Sequence, residues 1–142
     1  MLEPSLEEEF SQPNVVEEFE NKADVLVGKV YELLNKRHWG FGDDDGSCHP
    51  GACYDFDAQR REALLLKGTS KDPGRRYWAY DKIEPDDENG LTSTTYLGLS
   101  QIFEFRSRKI ENAYHDRLRG KLSTGDLDSI RVALHEFIRE DE

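Results

Sequence analysis

Apolar residues in the first third of the chain recur at spacings of three and four. Between residues 22 and 37 they are Ala23, Leu26, Val27, Val30, Leu33 and Leu34. This spacing places them on one face of a helix, and Gly40 and Gly42 follow as stop signals. The pattern predicts an amphipathic N-terminal helix over 22–37 and a glycine- and aspartate-rich loop over 40–58.

Two short segments after that loop have the composition of β-strands. Residues 63–67 read ALLLK, and residues 76–83 read RYWAYDKI, which is rich in the aromatic residues that strands favour. The Asp-Pro-Gly between them is typical of a turn, so the two strands are predicted to form a hairpin. Residues 101–106, QIFEFR, alternate well enough for a third strand.

Helical periodicity returns towards the C-terminus, over 107–120 and again over 126–140. In the second segment Leu127, Ile130, Leu134 and Phe137 share one face. The short linker between the two segments predicts an antiparallel pair. The predicted fold class is therefore α+β, with an N-terminal helix, a small antiparallel sheet of two or three strands and a C-terminal antiparallel helical hairpin.

The charge of the chain is unevenly distributed. The net charge is −11, but residues 1–20 contain seven glutamates and no base, which leaves −4 for the rest. Because so few residues of 1–20 are aliphatic, we expect this segment to be a disordered acidic arm, and 21–142 to be a single globular domain. Within that domain the bases cluster over 59–80 and 106–121, so the negative total conceals two basic segments.

The stretch GDDDGSCHPGAC, residues 42–53, contains both cysteines of the chain. Zinc prefers four cysteine or histidine ligands in a tetrahedral arrangement. The candidate ligands are His38, Cys48, His49 and Cys53. The alternatives are two reduced cysteines, or a Cys48–Cys53 disulfide, which a reducing compartment disfavours. The predicted cofactor is therefore none, or one structural zinc.

The run RRYWAY places two arginines next to three aromatic rings. Arginine presents a planar fork that fits carboxylate or phosphate, and aromatic rings beside cations hold single-stranded nucleic acid. Four arginines are expected to converge near one end of the hairpin. The predicted partner-binding residues are Arg60, Arg61, Arg75, Arg76, Trp78 and Tyr80.

The function that these patterns favour is a non-catalytic interaction module that regulates or inhibits another macromolecule, with another protein as its partner. One alternative is a nucleic-acid-binding module that uses the basic aromatic strand. The other is a small metal-dependent enzyme built around the 38–57 loop, with His38, His49, Asp55, Asp57 and Glu62 as acid–base groups. No motif with a known catalytic mechanism is present, so no catalytic residue is predicted.

The expected location is the cytoplasm or the nucleus. No apolar run approaches the length of a membrane span, the N-terminus does not have the pattern of an export signal, and two cysteines do not make a disulfide framework. The oligomeric state is left open.

Overall fold

The computed structural model describes residues 23–140, without the side chains of Ala113 and Glu140. The predicted acidic arm, 1–20, lies outside the described residues. Their main feature is one antiparallel sheet of seven strands, in the order β4-β5-β3-β2-β1-β7, with β6 also paired to β3. The strands are β1 (Lys29–Leu34), β2 (Cys48–Asp57), β3 (Glu62–Thr69), β4 (Tyr80–Ile83), β5 (Thr95–Gly98), β6 (Phe103–Arg106) and β7 (Leu118–Lys121).

Helices contribute less to the described residues than the sequence predicts. Residues 23–26 form a single α-helical turn, and α1 (Thr124–Glu140) is the one long helix that the structure describes. Four short turns connect the strands: π-helical Asn35–Trp39 and Lys109–Ala113, and 3₁₀-helical Gly74–Ala79 and His115–Arg117.

The predicted α+β fold class is wrong. The small sheet of two or three strands is a sheet of seven, and the centre of the predicted N-terminal helix is strand β1. Of the predicted C-terminal hairpin, 107–120 is two short turns and strand β7, whereas the helix predicted over 126–140 is confirmed as α1. The hydroxyl of Ser123 accepts a hydrogen bond from the amide of Asp126 and caps the start of that helix.

The predicted hairpin between 63–67 and 76–83 is also wrong. β3 pairs with β2, β5 and β6, and β4 pairs with β5. Most of RRYWAY lies in the 3₁₀ turn Gly74–Ala79, and Tyr80 begins β4. β2 itself lies inside the segment that was predicted to be a loop, so the glycines and prolines of that segment concealed the longest strand described.

The sheet is covered on both faces, which explains the misread β1. Val30 packs with α1 on one face, while its neighbour Tyr31 packs with Leu26 and Ile110 on the other. The β1–β7 register shifts between Val30 and Tyr31, as at a β-bulge. A strand that is apolar on both faces loses its two-residue alternation, and its apolar positions then match a helical stripe equally well.

Candidate nucleic-acid interface

An open cleft of about 490 Å³ lies where β2 begins and β3 ends, on the face opposite α1. Its walls come from strands β2 to β6, the loop after the π-helical turn Asn35–Trp39, and the segments that connect β3 to β4 and β5 to β6. The lining residues are Phe41, His49, Lys67, Gly68, Thr69, Lys71, Asp72, Pro73, Arg76, Tyr80, Gly98, Ser100, Gln101 and Phe103.

The cleft is more basic than the whole chain. Lys67, Lys71 and Arg76 line it against one carboxylate, Asp72, whose Oδ1 accepts the amide hydrogen of Gly74 at 2.8 Å and so stabilises the turn. Burial lowers the pKa of Lys67. Three cations around one concavity make a local positive field that the net charge of −11 conceals.

His49 lies in the wall of the cleft and is held in one orientation. Its Nδ1 is 2.6 Å from Oδ1 of the buried Asn35. Because an amide oxygen can only accept, Nδ1 carries the proton, and Nε2 is left with a lone pair. The indole Nε1 of Trp39 donates to the backbone oxygen of His49 at 3.2 Å and fixes the strand beneath it.

The imidazole of His49 is neutral at pH 7. Burial lowers its pKa below the ordinary 6.5, the charge of Lys67 lowers it further, and Glu32 opposes both. A neutral imidazole with a free Nε2 in an open cleft can accept a proton from a bound ligand.

Three aromatic side chains complete the cleft. Phe41 is 40% exposed, and its ring lies 4.0 Å from Nζ of Lys67 and 5.8 Å from the ring of His49. Tyr80 and Phe103 line other parts of the wall and are half-buried. An exposed ring next to an ammonium group offers a stacking surface for a base and a cation for its phosphate.

The structure brings two of the six predicted partner-binding residues, Arg76 and Tyr80, into this cleft. Arg75 is exposed next to Arg76 but does not line the wall. Trp78 is turned towards α1, where its ring stacks on Phe137 with centroids 5.8 Å apart and planes 18° apart.

The predicted convergence of four arginines is wrong. Arg60 and Arg61 lie in the turn before β3, whereas Arg75 and Arg76 lie beyond its other end. The eight residues of β3 span roughly 26 Å at a rise of about 3.3 Å each. Arg60 instead contacts the carboxylate of Glu104 at 3.4 Å.

The predicted structural zinc is not supported by the geometry. Cys48 and Cys53 are five residues apart on β2, roughly 16 Å along an extended chain, and they point to opposite faces. One ion cannot bind both sulfurs, and a disulfide would need Cα atoms within about 7 Å. Among residues 23–140, no three His, Cys, Asp or Glu side chains are grouped so that they could hold a metal ion.

The four predicted metal ligands have separate surroundings. His38 Nδ1 accepts the amide hydrogen of Leu34 at 2.8 Å, and burial is the main cause that lowers its pKa. Cys53 is buried, which raises the pKa of its thiol to about 12. Cys48 donates to Glu32 at 3.1 Å, and His49 alone faces the cleft.

The predicted acid–base loop is likewise dispersed. Asp55 accepts the amide hydrogen of Phe56, and Asp57 accepts those of Gln59 and Arg60. These carboxylates stabilise the end of β2 that lies away from the cleft. Of the five residues proposed for the enzymatic alternative, only His49 lines it.

Sequence reasoning missed Asn35, Phe41 and Lys67. Lys67 ends the run ALLLK, and a lysine at the end of an apolar strand does not by itself indicate a binding site. Asn35 lies inside the stretch that was read as a helix. The spacing of fourteen residues between Asn35 and His49 becomes a contact only when β1 and β2 pair, with Leu33 opposite His49.

No helix among the described residues is long and apolar enough to cross a membrane. No protein-family model matches the chain, and neither does any curated protein.

Similar solved structures include an endoribonuclease from a mycobacterial species, at 13% identity and a TM-score of 0.48, covering 80% of this chain and 90% of that one. Two others are crystal forms of MazE-MazF from Deinococcus radiodurans. Form II is 10% identical to this chain, and the match covers 80% of this chain and 93% of that one. Form I is 11% identical, and the match covers 80% and 94%. Both have a TM-score of 0.47. The first of these is named as an endoribonuclease, a catalytic protein, whereas the sequence predicts a non-catalytic regulator or inhibitor.

Proposed function

We propose that the cleft binds single-stranded RNA and that His49 cleaves it. The observation that carries this proposal is the wall of the cleft itself. A histidine whose Nδ1 is held by Asn35 lines the same concavity as three cations and an exposed phenylalanine.

The cations and the rings have separate tasks in binding. Lys67, Lys71 and Arg76 neutralise backbone phosphates, which supplies affinity without sequence preference. Phe41 and Tyr80 stack on bases, a contact that every base can make. A volume of about 490 Å³ is within the range of small-ligand sites, roughly 300–1,000 Å³, so the cleft holds a short part of a strand whose remainder lies outside.

The reaction uses groups on the strand and on the protein. Nε2 of His49 takes the proton of a ribose 2′-hydroxyl, and the 2′-oxygen attacks the adjacent phosphorus. The bond from phosphorus to the 5′-oxygen breaks, and that oxygen takes a proton from the ammonium group of Lys67. The products are a 2′,3′-cyclic phosphate and a 5′-hydroxyl, so DNA would bind without being cleaved.

Lys67 is suited to both of its proposed tasks. It is close enough to lower the pKa of His49, and burial lowers its own pKa, which makes its proton easier to release. Before that transfer, its charge stabilises the oxygens of the phosphorane, where negative charge develops. Another protein as partner, and the cytoplasm or the nucleus as location, stay predictions.

The test compares two histidine variants on a fluorescent RNA of about ten nucleotides. We expect His49→Ala to lower the cleavage rate about 100-fold or more, the usual contribution of a positioned acid–base group. The variant should still bind a 2′-O-methyl version of the strand, because the three cations remain. His135→Ala is the matched control, since His135 is exposed on α1.

Two results would count against the proposal. If wild-type protein binds neither the RNA nor its 2′-O-methyl version, the cleft is not an RNA-binding site. If His49→Ala cleaves as fast as wild type, the proposed proton transfer is wrong although binding stands.

A further inference from the structure

A second, smaller cleft of about 190 Å³ adjoins the first. His49 and Thr69 belong to the walls of both. Glu32 and Cys48 line the second cleft from the sheet face that packs against α1, whereas Lys67 lines the first from the opposite face. The two clefts therefore meet at the end of the sheet, on either side of the proposed catalytic histidine.

The chemistry of the second cleft is the reverse of the first. None of its lining residues is a lysine or an arginine, and Glu32 gives it a carboxylate. Ser70, Ser93 and Thr95 contribute hydroxyl-bearing side chains to the wall. A phosphate would be repelled by Glu32, whereas the polar edge of a base can exchange hydrogen bonds with such a wall.

Glu32 is fixed from two directions. Its Oε1 accepts the thiol of Cys48 at 3.1 Å, and its backbone oxygen accepts Nε of Arg117 at 2.7 Å. Burial, followed by the contact with Glu32, raises the pKa of Cys48, so the thiol stays protonated and neutral. Among the described residues, the thiol of Cys48 is the side chain that donates to this carboxylate; Arg117 and Arg119 lie outside the wall of the cleft, although their charges partly offset the raised pKa of Cys48.

We propose that the second cleft holds a base next to the cleaved linkage and that Glu32 accepts hydrogen bonds from its exocyclic amino group; this rests on the proposed function. Adenine, cytosine and guanine carry such a group. Uracil has no amino group: it offers one ring donor, N3–H, flanked by two carbonyl oxygens that the carboxylate repels. The site therefore selects amino-bearing bases over uracil, while the first cleft holds the phosphates.

The experiment measures binding of non-cleavable 2′-O-methyl strands. One strand contains only uridine, and three others carry a single adenosine, cytidine or guanosine at the centre. We expect wild type to bind the three substituted strands about tenfold more tightly than the uridine strand, the usual scale of a charged base contact. The Glu32→Gln variant should bind all four alike.

Two controls separate base reading from a loss of folding. Glu104→Gln removes a half-exposed carboxylate on β6 that pairs with Arg60 and should keep the wild-type preference. A strand with purine riboside, which is adenosine without its amino group, should bind wild type as weakly as the uridine strand does. That comparison needs no variant.

The outcomes distinguish this inference from the function on which it rests. If no strand binds, the proposed function fails. If all strands bind equally, or Glu32→Gln keeps the preference, the base-reading site is wrong and RNA binding stands. Equal binding of adenosine and purine riboside strands would also overturn it.

Discussion

At the scale of single residues, the setting of His49 decides what the cleft can do. The sequence drew attention to this histidine as a metal ligand beside two cysteines and, in the enzymatic alternative, as one of five acid–base groups. The neighbour that defines its role, Asn35, is buried and holds Nδ1 at 2.6 Å. Chemistry-bearing residues could therefore be picked out from the sequence, whereas their partners could not, because those contacts depend on strand pairing.

The pH dependence of cleavage follows from the two shifted groups. His49 must be neutral to accept a proton, and its pKa lies below 6.5. Cleavage should therefore rise with pH and reach half its plateau below pH 6.5. Lys67 must be charged to donate a proton, and its pKa lies below 10.5. As the pH rises further, the rate should therefore fall again, with the midpoint of the fall below pH 10.5. Initial rates across the pH range measure both limbs.

The variant Asn35→Asp assigns the acidic limb to His49. A carboxylate beside Nδ1 favours the imidazolium, so the limb should move up by about one pH unit or more. His38, whose pKa is also lowered, holds its Nδ1 against the amide of Leu34 instead, so the substitution acts most directly on His49. An unmoved limb in Asn35→Asp would show that another group controls it.

At the scale of elements, β2 and the π-helical turn before it form a unit that positions the cleft. Gly51 lets β2 lie flat on the indole of Trp39, since an added Cβ would meet that ring at 2.7 Å and Leu65 at 3.1 Å. Trp39 also holds the backbone oxygen of His49. The sequence predicts that this glycine lies in a loop, because glycine and proline ordinarily interrupt strands. The close packing of β2 on Trp39, which requires a glycine, is visible only in the fold.

Replacing Gly51 with alanine tests that packing. Trp39 and Leu65 are both buried and cannot move aside freely, so the free energy of unfolding should fall by about 1–3 kcal/mol, as overpacking usually costs. Urea denaturation followed by tryptophan fluorescence measures the loss.

Gly125→Ala is the matched control for this substitution. Its added Cβ would meet only the hydroxyl of Ser123 at 3.9 Å, in the first turn of α1. Its free energy of unfolding should not decrease by more than about 0.5 kcal/mol. A Gly51→Ala protein as stable as this control would show that β2 does not pack closely on Trp39.

At the scale of the whole molecule, the fold separates basic residues that lie close together in the sequence. The predicted basic segments were real features of the sequence, but β3 separates Arg60 and Arg61 from Arg76, and Lys67 joins Arg76 only through the sheet. The final helix was predictable from its periodicity. The sheet was not, because its central strands are buried on both faces and its pairings connect distant segments, such as β1 with β7.

The salt dependence of RNA binding tests the central claim most directly. If Lys67, Lys71 and Arg76 each neutralise one phosphate of a single strand, a logarithmic plot of affinity against salt should have a slope of about −2. Replacing the exposed Lys71 with glutamine should reduce the slope by about 0.7. Lys82→Gln, a control at an exposed lysine that pairs with Glu84 outside the cleft, should leave it unchanged. An affinity that does not vary with salt, or a slope that Lys71→Gln and Lys82→Gln alter equally, would contradict the assignment of this cleft as the RNA site.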